Sequence, residues 1–222
     1  NYIPWKGYFD MIAAVDEFIL YDDVQFTKND WRNRNIVKTP RGTEWISVPV
    51  GTDINRKIRD VNLTEHQWQK KHWKTIEVNY RRAPFFCDIA NLLEPLYSDI
   101  RHESLTQLNR TFIEAICQYL DIRTKISYSW DYFLGEGKNE RLLNLCQQSG
   151  AGHYISGPAA KNYLDEAAFK KAGVSVIWLD YANYPTYPQL WGEFTHNVSI
   201  VDLLFNCGKS AHQYMKYVPK IN

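Results

Sequence analysis

Two adjacent carboxylates, Asp22 and Asp23, follow the apolar run Phe18-Ile19-Leu20-Tyr21. That run reads as a buried strand, so the pair stands where the strand ends. Residues of opposite charge come next: Lys28, Arg32 and Arg34, interleaved with Trp31 and the side-chain amides of Gln25, Asn33 and Asn35. In an open α/β sheet, ligands bind in the crevice beyond the carboxyl ends of the strands. A loop offering both charge signs, amides and an indole suits an anionic ligand with a polar, sugar-like part. The same residues would also make a solvated loop pinned by Asp–Arg pairs. If Trp31 to Asn35 is extended, alternation puts Arg32 and Arg34 on one side, where two planar guanidinium forks would form a phosphate clamp.

Two later strands also run into polar residues. His153-Tyr154-Ile155-Ser156 leads into Gly157-Pro158 with Lys161 just beyond, offering backbone N–H groups and a cation to a phosphate. Gly157 would alternatively do no more than permit a tight turn. Val174 to Leu179 leads into Asp180-Tyr181. In a parallel sheet, Asp22-Asp23, Ser156-Gly157 and Asp180-Tyr181 would share one edge. The loop from Tyr181 to His196 is long enough for a functional flap, or for a structural loop stiffened by its prolines.

The elements that must position these residues follow from periodicity and turn signals. Trp5 to Val15 suits a short helix, and residues 17–21 a strand. Thr39-Pro40-Arg41-Gly42 between two apolar runs predicts a β-hairpin with a type I turn. Thr64-Glu65-His66-Gln67 fits a capping box for a helix reaching about Arg82, stopped by Pro84. A second helix carries Phe85, Ile89, Leu92, Leu93 and Leu96, and Ser104 to Gln107 fits a second capping box for a third. The chain then alternates: strand 125–128, helix 139–149, strand 153–156, helix 163–172, strand 174–179, and a last helix 199–206. The expectation is one α/β domain over residues 1–222, with a largely parallel, Rossmann-like sheet, a β-hairpin and an all-helical insertion at about 62–122.

Composition narrows the function. The chain has 222 residues and a formal net charge of +1, which argues against general nucleic-acid or membrane-surface attraction. No apolar run approaches a membrane span and no signal peptide is visible, which predicts a cytoplasmic protein without membrane insertion. Cys87, Cys117, Cys146 and Cys207 lie far apart without a Cys-x-x-Cys pair, so they read as reduced, mostly buried thiols. Cys207 has a second reading as a nucleophile at a helix end. His66 and His72 are wrongly spaced for two metal ligands on one helix face, and no metal site is expected.

Asn1-Tyr2-Ile3-Pro4-Trp5-Lys6-Gly7-Tyr8-Phe9-Asp10, Asp22-Asp23-Val24-Gln25-Phe26 and Asp30-Trp31-Arg32-Asn33-Arg34-Asn35 resemble the WbqC-like family. So do Tyr154 to Gly157, Tyr163-Leu164-Asp165, Asp180-Tyr181 and Ser199 to Gly208, so the resemblance spans nearly the whole chain. It adds Tyr2, Trp5 and Tyr8 to the candidate substrate-binding residues. Family members carry a short strand ending in His-Gln-Pro just before the position of Asn1, which implies such a segment upstream. The resemblance also implies a role in O-antigen or capsule biosynthesis, with transfer of glycine or a related acyl group to a sugar. On that basis Asp22 or Asp23 would be the base or the group that orients the amine, Asn33 or Asn35 an oxyanion donor, and Arg32 and Arg34 the diphosphate ligands of a nucleotide sugar. Sequence identifies neither a cofactor nor the acyl carrier, and no G-x-G-x-x-G fingerprint is present. The alternatives are nucleotidyl or adenylyl transfer, with Asp22 and Asp23 on Mg²⁺ and Arg32, Arg34 and Lys161 on a triphosphate, or a non-catalytic sugar-nucleotide binding protein.

Overall fold

A computed structural model describes residues 1–63 and 65–219 of the chain. Helix α1 (Lys6–Ala13) buries Phe9 and Ile12 and leads into strand β1 (Glu17–Leu20). The hairpin follows as β2 (Arg34–Thr39) and β3 (Gly42–Ser47), paired antiparallel with Thr39 opposite Gly42. Gly42 has φ +113°, a conformation that side chains with a Cβ rarely adopt, which is why glycine closes this two-residue turn.

Helices α2 (Gln67–Tyr80), α3 (Phe86–Ser98) and α4 (Leu105–Tyr119) come next. The capping box expected ahead of α2 begins at Thr64, outside the described residues. At α4 half of the expected box forms: Ser104 Oγ accepts from the Gln107 N–H at 3.2 Å. Gln107 Oε1 accepts instead from the Glu103 N–H, one residue upstream of the cap. The second half holds β4 (Lys125–Tyr128), α5 (Lys138–Gln148), β5 (His153–Ser156), α6 (Glu166–Lys171), β6 (Ser175–Trp178) and α7 (Ile200–Cys207). Helix α6 starts later than its apolar pattern suggests. Pro158–Asn162 forms a 3-10 turn first, and Asp165 then caps α6 by accepting from the Ala167 and Ala168 N–H groups.

The expected parallel sheet is present in pieces. β1 pairs in parallel with β4, and β5 in parallel with β6, but each is a two-stranded ladder, as is the hairpin. The fold is therefore mixed helix and strand with small parallel sheets. Each parallel strand is only four residues long. Within each pair the direction is as expected, because helical crossovers enforce parallel strands.

The principal core lies among helices. Phe9, Leu20, Val37, Tyr80, Leu93, Phe112 and Phe205 belong to one buried cluster drawn from α1, β1, the hairpin, α2, α3, α4 and α7. Phe205 stacks on Tyr80 at 4.9 Å and on Phe86 at 5.7 Å. Full burial of each such side chain stabilises by about 1.5–3 kcal/mol. Among the described residues, the segment between β3 and β4 contributes helices and two isolated bridges, Lys57 with Gln25 and Asn62 with Ser104, and its side chains enter this same core. A smaller cluster, Cys146, Phe169 and Val174, holds α5 and α6 against the β5–β6 pair.

Candidate functional site

The chain leaves β1 at Tyr21 and turns at once, with the Asp22 N–H donating to the Leu20 carbonyl at 3.1 Å. Residues 22–26 then run beside residues 56–59: Phe26 N–H bonds the Arg56 carbonyl, Ile58 N–H the Val24 carbonyl, and Arg59 N–H the Asp22 carbonyl. This pairing carries Lys57 and Arg59 onto Asp23. Lys57 Nζ lies 3.1 Å and Arg59 Nη1 2.8 Å from Asp23 Oδ1, while Ser129 Oγ donates to Oδ2 at 3.0 Å. Both oxygens of this carboxylate, whose side chain is 2% exposed, are therefore engaged. The cations remain partly open, at 45% and 38% exposure.

Asp22 is half-buried and is held differently. The Thr106 hydroxyl, in the first turn of α4, donates to its Oδ2. Burial pushes the Asp22 pKa above its ordinary value; the Arg32 guanidinium opposes this, and Asp23 adds to it. Tyr8 of α1 lies within electrostatic reach of Asp22, Arg32 and Tyr181, and burial raises its hydroxyl well above the usual tyrosine value. At the end of β1 a saturated carboxylate thus sits beside one whose proton affinity is raised.

The arginine-rich loop departs from the extended form. Trp31 to Asn33 turn, and the strand starts only at Arg34. Arg32 Nη1 donates to Thr27 Oγ1 at 2.9 Å and to Asp30 Oδ2, whereas Arg34 lies on the Trp45 ring at 4.0 Å and bonds Asn29. The two guanidinium groups are drawn to different partners and do not make one clamp. Asn33 donates to the Val48 carbonyl at 2.9 Å. Buried Asn35 donates to the carbonyls of Tyr2 and Ile3 and accepts from Ile36 N–H. These amide groups tie the N-terminal segment to the hairpin. Gln25 forms a bridge with Lys57 and donates to the Ile54 carbonyl at 3.4 Å, while Lys28 is exposed.

The remaining candidates scatter. Tyr2 is wholly buried, its hydroxyl 2.9 Å from His72 Nδ1 and 2.6 Å from Tyr97 Oη, so it serves the core. The Trp5 ring packs edge-on to Tyr181 at 5.3 Å and Tyr184 at 5.7 Å. It also covers Gly7, where an added Cβ would meet the indole at 2.3 Å. β5 and β6 deliver Ser156 opposite Trp178, so Ser156-Gly157 and Asp180-Tyr181 do share an edge. Gly157 lies against the Tyr181 ring, and Tyr181 Oη is 3.7 Å from Met11 Sδ on α1. Lys161 faces outward over Trp178 at 5.6 Å. Asp180 accepts from the Ala182 N–H and pairs with Lys216 Nζ at 3.4 Å. Trp5 at the start of α1 packs on Tyr181 beyond β6, and Tyr8 of α1 packs on Phe18 of β1 at 5.3 Å, so α1 contacts both parallel pairs.

A family model describing the WbqC-like protein family matches residues 1–214. The chain belongs to the WbqC-like family. It is 52% identical over 219 residues to the Uncharacterized protein Rv1507c of Mycobacterium tuberculosis, covering 98% of this chain and 95% of that one. No solved structure matches it.

In this WbqC-like protein the segment from Tyr181 to Val198 is bolted down. Tyr184 Oη donates to Asp10 at 2.7 Å, and Tyr187 Oη and Gln189 Nε2 each donate to Asp202 at 2.7 Å. Leu190 N–H bonds Asn206 and Trp191 Nε1 bonds the Asn79 carbonyl. These bonds favour the structural reading of the 181–196 loop over the flap reading. Cys207 is buried and its thiol is pushed up to about 12 by that burial, which fits the core rather than a nucleophile. Sequence reasoning missed Lys57, Arg59 and Thr106. The alternation Lys57-Ile58-Arg59, two cations flanking a buried apolar residue, was a signal for the first two. Thr106 carried none, because it lies inside a capping box. A surface cleft of about 270 Å³, lined by Glu114, Cys117, Ile122 and Thr124 among others, opens at the amino end of β4 and holds no candidate residue.

Among the described residues no group of three or more His, Cys, Asp or Glu is arranged to hold a metal ion. The donor set at the end of β1 also fits a shared divalent cation poorly, because Asp23 already has both oxygens occupied by cations and a hydroxyl. No described helix is long and apolar enough to cross a membrane.

Proposed function

We propose that this protein is a cytoplasmic transferase that moves an acyl or aminoacyl group, glycyl or similar, onto the amine of a nucleotide-linked amino sugar for surface-polysaccharide assembly. The observation that carries this reading is Asp22. Its carboxyl has a pKa raised by burial and one oxygen held by the Thr106 hydroxyl, at the carboxyl end of a parallel strand. Raising a carboxylate's pKa improves it as a proton acceptor near neutral pH. As the sugar nitrogen attacks the acyl carbon, the C–N bond forms and Asp22 takes the nitrogen's proton. The bond from the acyl carbon to its carrier breaks, and the carrier atom leaves with the electron pair and picks up a proton. Lys57 and Arg59, paired on Asp23, would meet the diphosphate, whereas Arg32, also close to Asp22, is tied to Asp30 and Thr27. The two parallel pairs, both touched by α1 through Trp5 and Tyr8, are read as parts of one Rossmann-like crevice.

Occupation of both Asp23 oxygens favours acyl over nucleotidyl transfer, which would need that carboxylate for Mg²⁺. The test is mass spectrometry of products from UDP-linked amino sugars incubated with acyl-CoA, charged tRNA or ATP. An acylated sugar nucleotide is expected, and Asp22→Asn should lower turnover by roughly 100-fold or more. A nucleotidylated product would overturn the reading, as would wild-type turnover in Asp22→Asn. Binding of nucleotide sugar with no product under any donor would favour a binding protein.

A further inference from the structure

Trp31 and Trp45 are 44% and 43% exposed, with ring centroids 5.0 Å apart and planes inclined by 38°. They lie on the outer face of the hairpin, where Arg34 rests on Trp45 at 4.0 Å. Asn29, in the left-handed region at φ +59°, holds that guanidinium with its side-chain oxygen at 3.5 Å and with its carbonyl. None of the ion pairs among the described residues involves Arg34. The result is a patch of two indoles and an uncompensated cation, with exposed Thr43 and Ser47 flanking Trp45 on the same face of β3. Two neighbouring indoles beside an Arg place stacking faces and a positive charge together at one spot on the surface.

We infer that this face is a saccharide-binding platform, taking two sugar rings of an acidic oligosaccharide. The C–H bonds on one face of a pyranose carry slight positive charge and suit the negative face of an indole. Arg34 would pair with a carboxylate or phosphate substituent, and the rim residues would meet hydroxyl groups. Stiff aromatic side chains give such contacts at little conformational cost. The patch is small for a protein partner. Two indoles less than half exposed offer about 200 Å², given 150–250 Å² per aromatic residue, against about 800 Å² per partner in a stable interface. The net charge of +1 also argues against an extended nucleic-acid polyanion. The inference stands apart from the Asp22 reading, because neither Trp45 nor Arg34 contributes to the Asp22 environment.

The test is calorimetric titration of the full chain with a hexasaccharide of alternating uronic acid and N-acetylhexosamine, and with its carboxyl-reduced counterpart. Wild type should bind both, the acidic one at least threefold more tightly. Trp45→Ala should weaken both at least tenfold, and Trp45→Phe should restore most of the loss. Arg34→Gln should remove the preference for the acidic ligand while leaving the reduced one bound as before. Melting curves check that each variant is folded. Failure of wild type to bind either sugar overturns the inference, as does unchanged binding in folded Trp45→Ala. So does sedimentation showing a wild-type dimer that Trp45→Ala abolishes, because the face would then be an interface between copies of this chain.

Discussion

Arg59 Nη1 stands 2.8 Å from Asp23 Oδ1, joining the turn after β1 to the segment that precedes α2. Lys57 shares the same oxygen, so one buried carboxylate organises two cations at the strand end. Replacing Asp23 with Ala leaves those cations without a partner and Ser129 without an acceptor. Loss of one partner from a fully buried pair costs about 3–5 kcal/mol, and the partial exposure of both cations lowers the expected loss to about 2 kcal/mol. Urea unfolding of Asp23→Ala should show it, and a midpoint equal to wild type would refute it.

Arg32 is committed to Asp30 and Thr27, which makes it a loop fastener. Arg32→Lys keeps the charge and loses the planar fork. The expected outcome is a lower melting temperature, equivalent to about 0.5–1 kcal/mol, with affinity for UDP-sugars within twofold of wild type. A substantial loss of affinity at an unchanged melting point would restore the phosphate-clamp reading for this residue.

Tyr187 and Asp202 lock the 181–198 segment. Tyr187→Phe removes one hydrogen bond to a buried carboxylate, worth about 1.5–3 kcal/mol when the acceptor is charged. Amide hydrogen exchange should rise across this segment more than in α2 or α4. Uniformly unchanged exchange would mean that the loop is held by packing alone.

His72 is buried, and that burial lowers its pKa from 6.5 to about 4, partly opposed by its bond to the Ser47 carbonyl. The neutral ring donates from Nε2 to Ser47 and accepts from the Tyr2 hydroxyl at Nδ1. The unfolded chain binds this proton below about pH 6.5 and the folded one only below about pH 4. Stability from this group is therefore complete above pH 6.5 and is lost as pH falls toward 4, by up to about 3 kcal/mol. His72→Gln should flatten the stability curve over that interval. An equally steep acid limb in the variant would assign the loss to other groups.

Local pattern carried the elements a long way. Phe18 to Tyr21, Lys125 to Tyr128 and His153 to Ser156 announce strands because short apolar runs bounded by polar residues have few other stable fates. Thr39-Pro40-Arg41-Gly42 determines a hairpin because the turn conformation is intrinsic to those residues. Asp22 at a strand end and the family motifs were likewise written in the chain. What the residues could not declare was who meets whom. The extended form of Trp31 to Asn35 failed because Asp30 and Asn29 offered the two arginines separate local partners. Lys57 and Arg59 reach Asp23 only because residues 22–26 and 56–59 run side by side, a long-range pairing across the intervening hairpin that no local pattern announces. Tyr2, read as a ligand contact, became core because α2 and α3 bring His72 and Tyr97 to its hydroxyl. Periodicity fixes which face of an element is apolar. The partner of each charged or aromatic side chain is set by packing between distant segments, and that is decided only in the folded chain.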